Sequence, residues 1–194
     1  FMYFDEDMIL DIRLNILDKL LSYFIICEAN YLHNGSKKEF KFDINKFSKF
    51  KDKIIYIPLE QQPKNLRIIN NSDDVLLKNS KILDNALLRE NFQRNCISRG
   101  IREADNLDLI IISDLDEIPN PLSIKNFNQS MRYAVFEQKL FYYKFNLQSV
   151  SQQYWYGSRI CVKKYLKSPQ WIRNLKFGKR PWWRLDKLRL NNIL

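Results

Sequence analysis

Asp108-Leu109-Ile110-Ile111-Ile112-Ser113-Asp114-Leu115-Asp116-Glu117-Ile118-Pro119 decides how this chain is read. Four apolar residues make a buried strand, and three carboxylates follow at its C-terminal end. In open α/β sheets, ligands bind beyond the carboxyl ends of the strands. Asp114 and Asp116 stand two apart, so extended backbone turns both to one side. Such a pair suits a hard divalent cation, Mg²⁺ or Mn²⁺, which takes oxygen ligands and keeps positions open for phosphate. Pro119 ends the strand and holds the acids at its rim. The competing reading is a solvated turn whose acids cap a following helix at residues 121–128.

The segments on either side agree with a strand-helix-strand order. Phe1-Met2-Tyr3-Phe4 reads as a first strand. After Asp5-Glu6-Asp7 comes a helical stretch, with Ile9, Ile12, Ile16, Leu17, Leu20 and Leu21 as its apolar positions. Residues 23–29 read as a buried strand, residues 33–36 as a turn, and residues 53–58 as a strand stopped by Pro58. A polar loop spans 61–79. A long helix covers 80–104, with Ile82, Leu83, Ala86, Leu87, Phe92, Cys96 and Ile97 inward. Residues 132–145 resemble an aromatic hairpin, and residues 156–163 a short strand. This alternation predicts an α/β domain with a mostly parallel central sheet and helices on both faces.

Length and composition narrow the classes. A chain of 194 residues with 45% hydrophobic content fits one domain with a full core, which excludes disorder and fibrous repeats. No apolar run reaches the roughly 18 residues that span a bilayer. Cys27, Cys96 and Cys161 are odd in number and far apart, so they read as reduced thiols. The net charge of +10 is uneven: residues 159–194 carry eleven Lys or Arg and one acid, while residues 1–158 hold 21 of each sign. A neutral body with a basic end points to a local anion-binding patch.

Other candidates are weaker. Glu90 and Arg94 sit four apart on the long helix, which is the spacing of an ordinary surface pair. The N-terminal acids with Arg13 are typical of a helix start. His33 lies in a turn with Asn34 and Gly35 and cannot supply a histidine-rich metal site. With four glycines there is no glycine-rich phosphate loop. A bound nucleotide would rely on a metal and on basic side chains. Lys176-Phe-Gly-Lys179-Arg180-Pro181-Trp182-Trp183-Arg184 interleaves cations with aromatics, as phosphate, sugar or base binding requires. Residues 153–158 (Gln-Tyr-Trp-Tyr-Gly-Ser) could line a carbohydrate cleft. Both stretches also suit a packed interior.

The order of segments resembles glycosyltransferase family 17. The resemblance rests on Phe4-Asp-Glu-Asp-Met-Ile-Leu-Asp11-Ile-Arg13-Leu14-Asn15, Tyr23-Phe-Ile-Ile-Cys-Glu28-Ala29, Gly35 with Lys37, Lys53-Ile-Ile-Tyr56, Glu90-Asn-Phe-Gln93-Arg94-Asn95 and Ser113-Asp-Leu-Asp-Glu-Ile-Pro119. Trp155-Tyr-Gly-Ser158 looks like a later part of the family. The resemblance implies a Rossmann-like GT-A fold and an inverting, metal-dependent transfer from a nucleotide-sugar donor. The donor would be UDP-linked, with N-acetylglucosamine as the family's sugar and a glycan hydroxyl as acceptor. It makes Asp116 the chief ligand of Mn²⁺ or Mg²⁺, with Asp114 on the metal or the ribose. Glu90, Arg94 and Glu28 would shape the donor pocket. Glu117 is the candidate base by proximity.

Residues 1–194 are expected to form one glycosyltransferase domain, with 159–194 as its basic, aromatic end. Residues before Phe1 and a Trp-His-Phe-Ser-like segment are expected from the family and are missing here. The Asn-, Ile- and Lys-rich composition suggests a cytoplasmic enzyme, whereas eukaryotic relatives are lumenal. Nucleic acid is not the expected partner. Two alternatives stay open: an anion-binding module for nucleic acid or membrane, and a metal-dependent phosphoryl or nucleotidyl transferase.

Overall fold

The computed structural model describes residues 1–144, 146–178 and 192–194. Their contacts gather into two units: Phe1–Leu14 with Leu21–Arg102, and Asn15–Leu20 with the described part of Glu103–Leu194.

In the first unit, β1 (Met2–Tyr3), β2 (Phe24–Ala29) and β3 (Ile54–Leu59) form a parallel sheet in the order β1-β2-β3. Cys27 of β2 lies opposite Met2 on one side and Ile57 on the other. A strand paired on both sides is apolar along its length, and β2 is buried at five of its six positions. Pro58 does not stop β3, which runs on to Leu59; as an edge strand it can spare one N–H. Helix α1 (Asp7–Leu17) follows β1 and buries Leu10, Arg13, Leu14 and Leu17. Its inner side is therefore turned from the one that Ile9, Ile12 and Ile16 suggested, and Ile16 is exposed.

Helix α2 (Val75–Cys96) starts earlier than the sequence indicates, because the Asp74 carboxylate accepts a hydrogen bond from the Leu77 N–H and caps it. It ends earlier too, passing into a 3-10 turn at Ile97–Ile101. Its inner side overturns the apolar expectation. Lys81, Asn85, Arg89 and Gln93, each four apart, are buried, while Leu83 is 70% exposed and Leu87 is also exposed. Hydrogen bonds explain the inversion. Lys81 pairs with Asp73 at 2.7 Å, and Asn85 bonds both the N–H and the carbonyl of Arg67. Arg89 donates to Gln62 and to the His33 carbonyl, and Gln93 donates to the Cys27 carbonyl at 3.0 Å. Four polar side chains thus seat most of the helix and leave Ile82, Leu83 and Leu87 outside, while Cys96 and Ile97 at its end are buried as expected.

In the second unit, β4 (Leu109–Ile112), β5 (Tyr133–Val135) and β8 (Arg159–Val162) form an antiparallel sheet in the order β4-β8-β5. A separate ribbon pairs β6 (Gln138–Lys139) with β7 (Tyr154–Trp155). Helix α3 (Pro121–Lys125) is capped by Asn120, and α4 (Pro169–Asn174) by Ser168. The parallel expectation therefore holds for β1 to β3. The acid-bearing strand β4 is not the centre of that sheet; it is the edge of an antiparallel one whose centre is β8. The expected hairpin at 132–145 is replaced by two different pairings. The chain divides at Phe136 and Glu137, whose N–H groups bond the carbonyls of Ser158 and Leu194.

All three cysteines are buried free thiols. Burial pushes Cys27 and Cys161 up to about 12, so neither thiolate forms at neutral pH. The cation-aromatic stretch from Lys179 to Arg184 lies outside the described residues.

The polar seating of α2 has a direct test. Gln93→Leu strands a buried carbonyl and is expected to cost about 1–3 kcal/mol, whereas Leu83→Ser on the exposed side should stay within about 0.5 kcal/mol. Thermal melts of the two variants check this, and equal losses would contradict the arrangement.

Candidate functional site

The acids after β4 do not continue its extended path. Asp114-Leu115-Asp116-Glu117 is a turn, closed by the Glu117 N–H on the Asp114 carbonyl at 3.2 Å, with the Ile118 N–H on the Asp116 carbonyl at 3.1 Å. The argument that extended backbone sets Asp114 and Asp116 on one side is therefore replaced. Leu115 is buried and anchors the turn, Asp116 is exposed, and Asp114 is half-buried. Here the Glu117 carboxylate, accepting from the Asp114 N–H, competes with the strand ladder and wins.

Glu117 organises this turn. It is only 7% exposed, and its two oxygens receive four hydrogen bonds. Oε2 accepts from the Asp114 N–H at 2.9 Å and from Arg173 Nη1 at 2.6 Å. Oε1 accepts from Trp155 Nε1 at 2.6 Å and from Arg173 Nη2 at 3.2 Å. That fills the four lone-pair positions of a carboxylate. Arg173, on α4, also donates to Asp114 Oδ2 at 2.7 Å and to the Gly157 carbonyl. One guanidinium thus bridges two carboxylates, a geometry suited to its planar fork. The Ser158 hydroxyl donates to the Glu117 carbonyl at 3.2 Å. Beside it, Arg159 Nη1 donates to the carbonyls of Tyr156, Gly157 and Ser158. Burial first, and Arg173 second, hold the Arg159 guanidinium down to about 10, with Glu117 opposing.

In the first unit, Glu28 is fully buried. It accepts from Lys38, from the N–H groups of Lys41 and Phe42 at 2.7 and 3.0 Å, and from the Tyr56 hydroxyl at 2.9 Å. Its carboxylate therefore fastens the 38–42 loop to β2 and β3. Glu90 and Arg94 form an i, i+4 ion pair at 2.8 Å on α2, with Arg94 buried. His33 is exposed in its turn, as expected. At the start of α1, burial works to raise Asp7, but hydrogen bonds from Lys46 and Tyr3 outweigh it and hold the carboxyl below its usual range. Arg13 is buried with its guanidinium over the Phe1 ring. These N-terminal charges are accounted for by structure.

The second unit thus brings Asp114, Asp116 and Glu117 onto one turn, while Glu28, Glu90 and Arg94 belong to the first. Sequence reasoning missed Arg173, Trp155 and Gly157 as partners of that turn. Trp155 and Gly157 stood in a stretch noted for its aromatics, but Arg173 was one of eleven cations with no distinguishing spacing.

Among the described residues, no group of three or more His, Cys, Asp or Glu is placed to hold a metal ion. What remains is the Asp114–Asp116 pair, an oxygen-only donor set with Asp116 facing outward. Carboxylates of this kind suit a cation that binds through one or two of them and completes its shell with water and phosphate. No helix among the described residues is long and apolar enough to cross a membrane. A sequence model of glycosyltransferase family 17 matches residues 1–176. Among curated proteins and among solved structures, none matches.

Gly157 tests the packing of this site. A Cβ there would stand 1.6 Å from Glu117 Oε1 and 2.2 Å from Trp155 Nε1, so the carboxylate would have to move. Gly157→Ala is expected to lose about 1–3 kcal/mol, or roughly 2–4 °C of melting temperature per kcal/mol. An unchanged melt would mean that Glu117 is not held as described.

Proposed function

The chain belongs to glycosyltransferase family 17, and from that premise we propose that it moves a sugar from a UDP-linked donor to a glycan hydroxyl, with inversion. That it is a glycosyltransferase follows from family membership; the donor, the stereochemistry and the metal are our reading. The observation that carries the site assignment is the Asp114–Glu117 turn, whose inner acid is locked and whose outer acid, Asp116, faces outward.

In this reading the acceptor oxygen attacks the anomeric carbon as the bond to the diphosphate breaks, and the diphosphate leaves with the electron pair. A single displacement inverts the centre. The acceptor's proton passes to a base. Asp116, with Asp114, would hold Mn²⁺ or Mg²⁺, and the cation, when bound, supplies positive charge for the departing diphosphate. Asp116 is taken as the chief donor oxygen on the family resemblance, and Asp114 Oδ2 also accepts from Arg173. Arg173 fixes the Asp114 carboxylate and ties it to that of Glu117. Glu117 serves as the base only if Trp155 or Arg173 withdraws, since its oxygens are filled; in this geometry it holds the turn. Glu28 contributes through the loop that it fastens. Glu90 and Arg94 are assigned to the donor pocket on the resemblance.

The test is thermal stability with a panel of UDP- and GDP-sugars, each with and without Mn²⁺. A ligand at about 100 times its dissociation constant adds roughly 2.7 kcal/mol. The expected result is a shift that needs both a UDP-sugar and the metal, and that disappears in a folded Asp116→Ala. Retained metal-dependent binding in that variant would refute the role of Asp116. A shift with nucleoside triphosphates alone would favour phosphoryl transfer instead.

A further inference from the structure

The locked turn is backed by a cavity that the transfer reading does not use. It is an open cleft of about 380 Å³, lined by Arg159, Arg173 and Lys176, with Phe177 and two further residues of the same segment. Among the described residues, its walls carry three cations and no acid. The volume is within the usual range of ligand pockets, about 300–1,000 Å³.

Arg159 is the informative member. It is 6% exposed, its Nη1 is used on backbone carbonyls, and its Nε has no hydrogen-bond partner. No carboxylate lies within ion-pair distance of it among the described residues. The two nearby acids, Asp114 and Glu117, are both taken by Arg173. A buried guanidinium with only carbonyls around it is costly, because carbonyl dipoles compensate a full charge poorly. The neighbouring Arg173 adds repulsion, which is the second cause of the lowered Arg159 value. Lys176 adds a third positive charge from the exposed side. On the remaining wall, the Phe177 ring is stacked on Tyr156 with centroids 4.3 Å apart. A bound anion would offset the buried Arg159 charge, with Lys176 adding attraction from the exposed side, and a phosphate group matches the fork of an arginine.

We propose that the cavity lined by Arg159, Arg173 and Lys176 is a phosphate site, occupied by the diphosphate of the nucleotide. The assignment rests on the reading that the chain binds a nucleotide-linked donor. Arg173 then has two duties: one edge of its guanidinium holds the acidic turn, and the group also lines the anion cavity. Arg159 and Lys176 bind charge without any metal.

The experiment is calorimetric titration of the full chain with inorganic pyrophosphate and, separately, with UDP, both in EDTA. Both ligands are expected to bind without metal, and more weakly as salt rises from 50 to 200 mM. Lys176→Gln, on an exposed residue, should weaken pyrophosphate about tenfold, the scale of one charge-assisted hydrogen bond. Arg159→Gln should weaken it further, with circular dichroism confirming the fold; if that variant does not fold, Lys176→Gln decides. Pyrophosphate that fails to bind, or that binds Lys176→Gln as it binds wild type, overturns the site. If UDP still binds in that case, the donor reading stands without it. Pyrophosphate binding that is lost in the variants, with no binding of UDP or UDP-sugars to wild type, keeps the anion site and overturns the donor reading.

Discussion

The second unit depends on one buried carboxylate. Glu117 cannot sit in the interior as an anion unless its lone pairs are filled, and the fill comes from separated parts of the chain: the Asp114 N–H, the Trp155 indole and the Arg173 guanidinium. Meeting that demand brings β7 and α4 against the turn after β4. It also explains why position 157 is glycine, since the carboxylate and indole occupy the space of a side chain. A buried ion pair is weak evidence for net stability, but losing either partner is costly, so the arrangement specifies one geometry rather than adding strength. In the proposed reading, the consequence for function is that Asp116 is presented on a turn held by hydrogen bonds.

The first unit solves a similar problem with a similar device. Glu28 is buried without exposure, and its four donors tie the 38–42 loop and Tyr56 to the central strand. Helix α2 is seated by Gln93, Arg89, Asn85 and Lys81 rather than by its leucines. Several residues in the blocks that resemble the family therefore do architectural work: Glu28 and Glu117 as hubs, Gln93 as the link from α2 to β2. In the proposed reading, what is left for ligands is narrower, namely Asp116, Asp114 and the cations behind them.

Much of this was legible in the sequence where the signal was local. The strands at 24–29, 54–59 and 109–112 announced themselves as short apolar runs, and the turn at His33 by its Asn-Gly pair. The family blocks drew attention to Glu28, Asp114, Asp116 and Glu117, the acids around which both units are arranged. Long-range pairing was not legible. Nothing local tells β4 to join β8 as the edge of an antiparallel sheet, because a short apolar run looks the same in either direction, and of β4 only Ile112 is in fact buried. The inner side of α2 was misread because apolar periodicity assumes that burial follows hydropathy, whereas here polar side chains satisfy backbone groups of β2 and of neighbouring loops. Arg173 was hidden among many cations, since its meaning lies in two carboxylates more than 50 residues away in the chain.

The central claim is that the Arg173 bridge holds the acidic turn in a transfer-competent form. Its most direct test is release of nucleoside diphosphate from nucleotide sugars, with an N-glycan acceptor and Mn²⁺, by wild type and by Arg173→Lys. A lysine keeps the charge but cannot bridge Asp114 and Glu117 with a planar fork. The account predicts release by wild type and a loss of at least tenfold in kcat for the folded variant. Release by Arg173→Lys at the wild-type rate would contradict it.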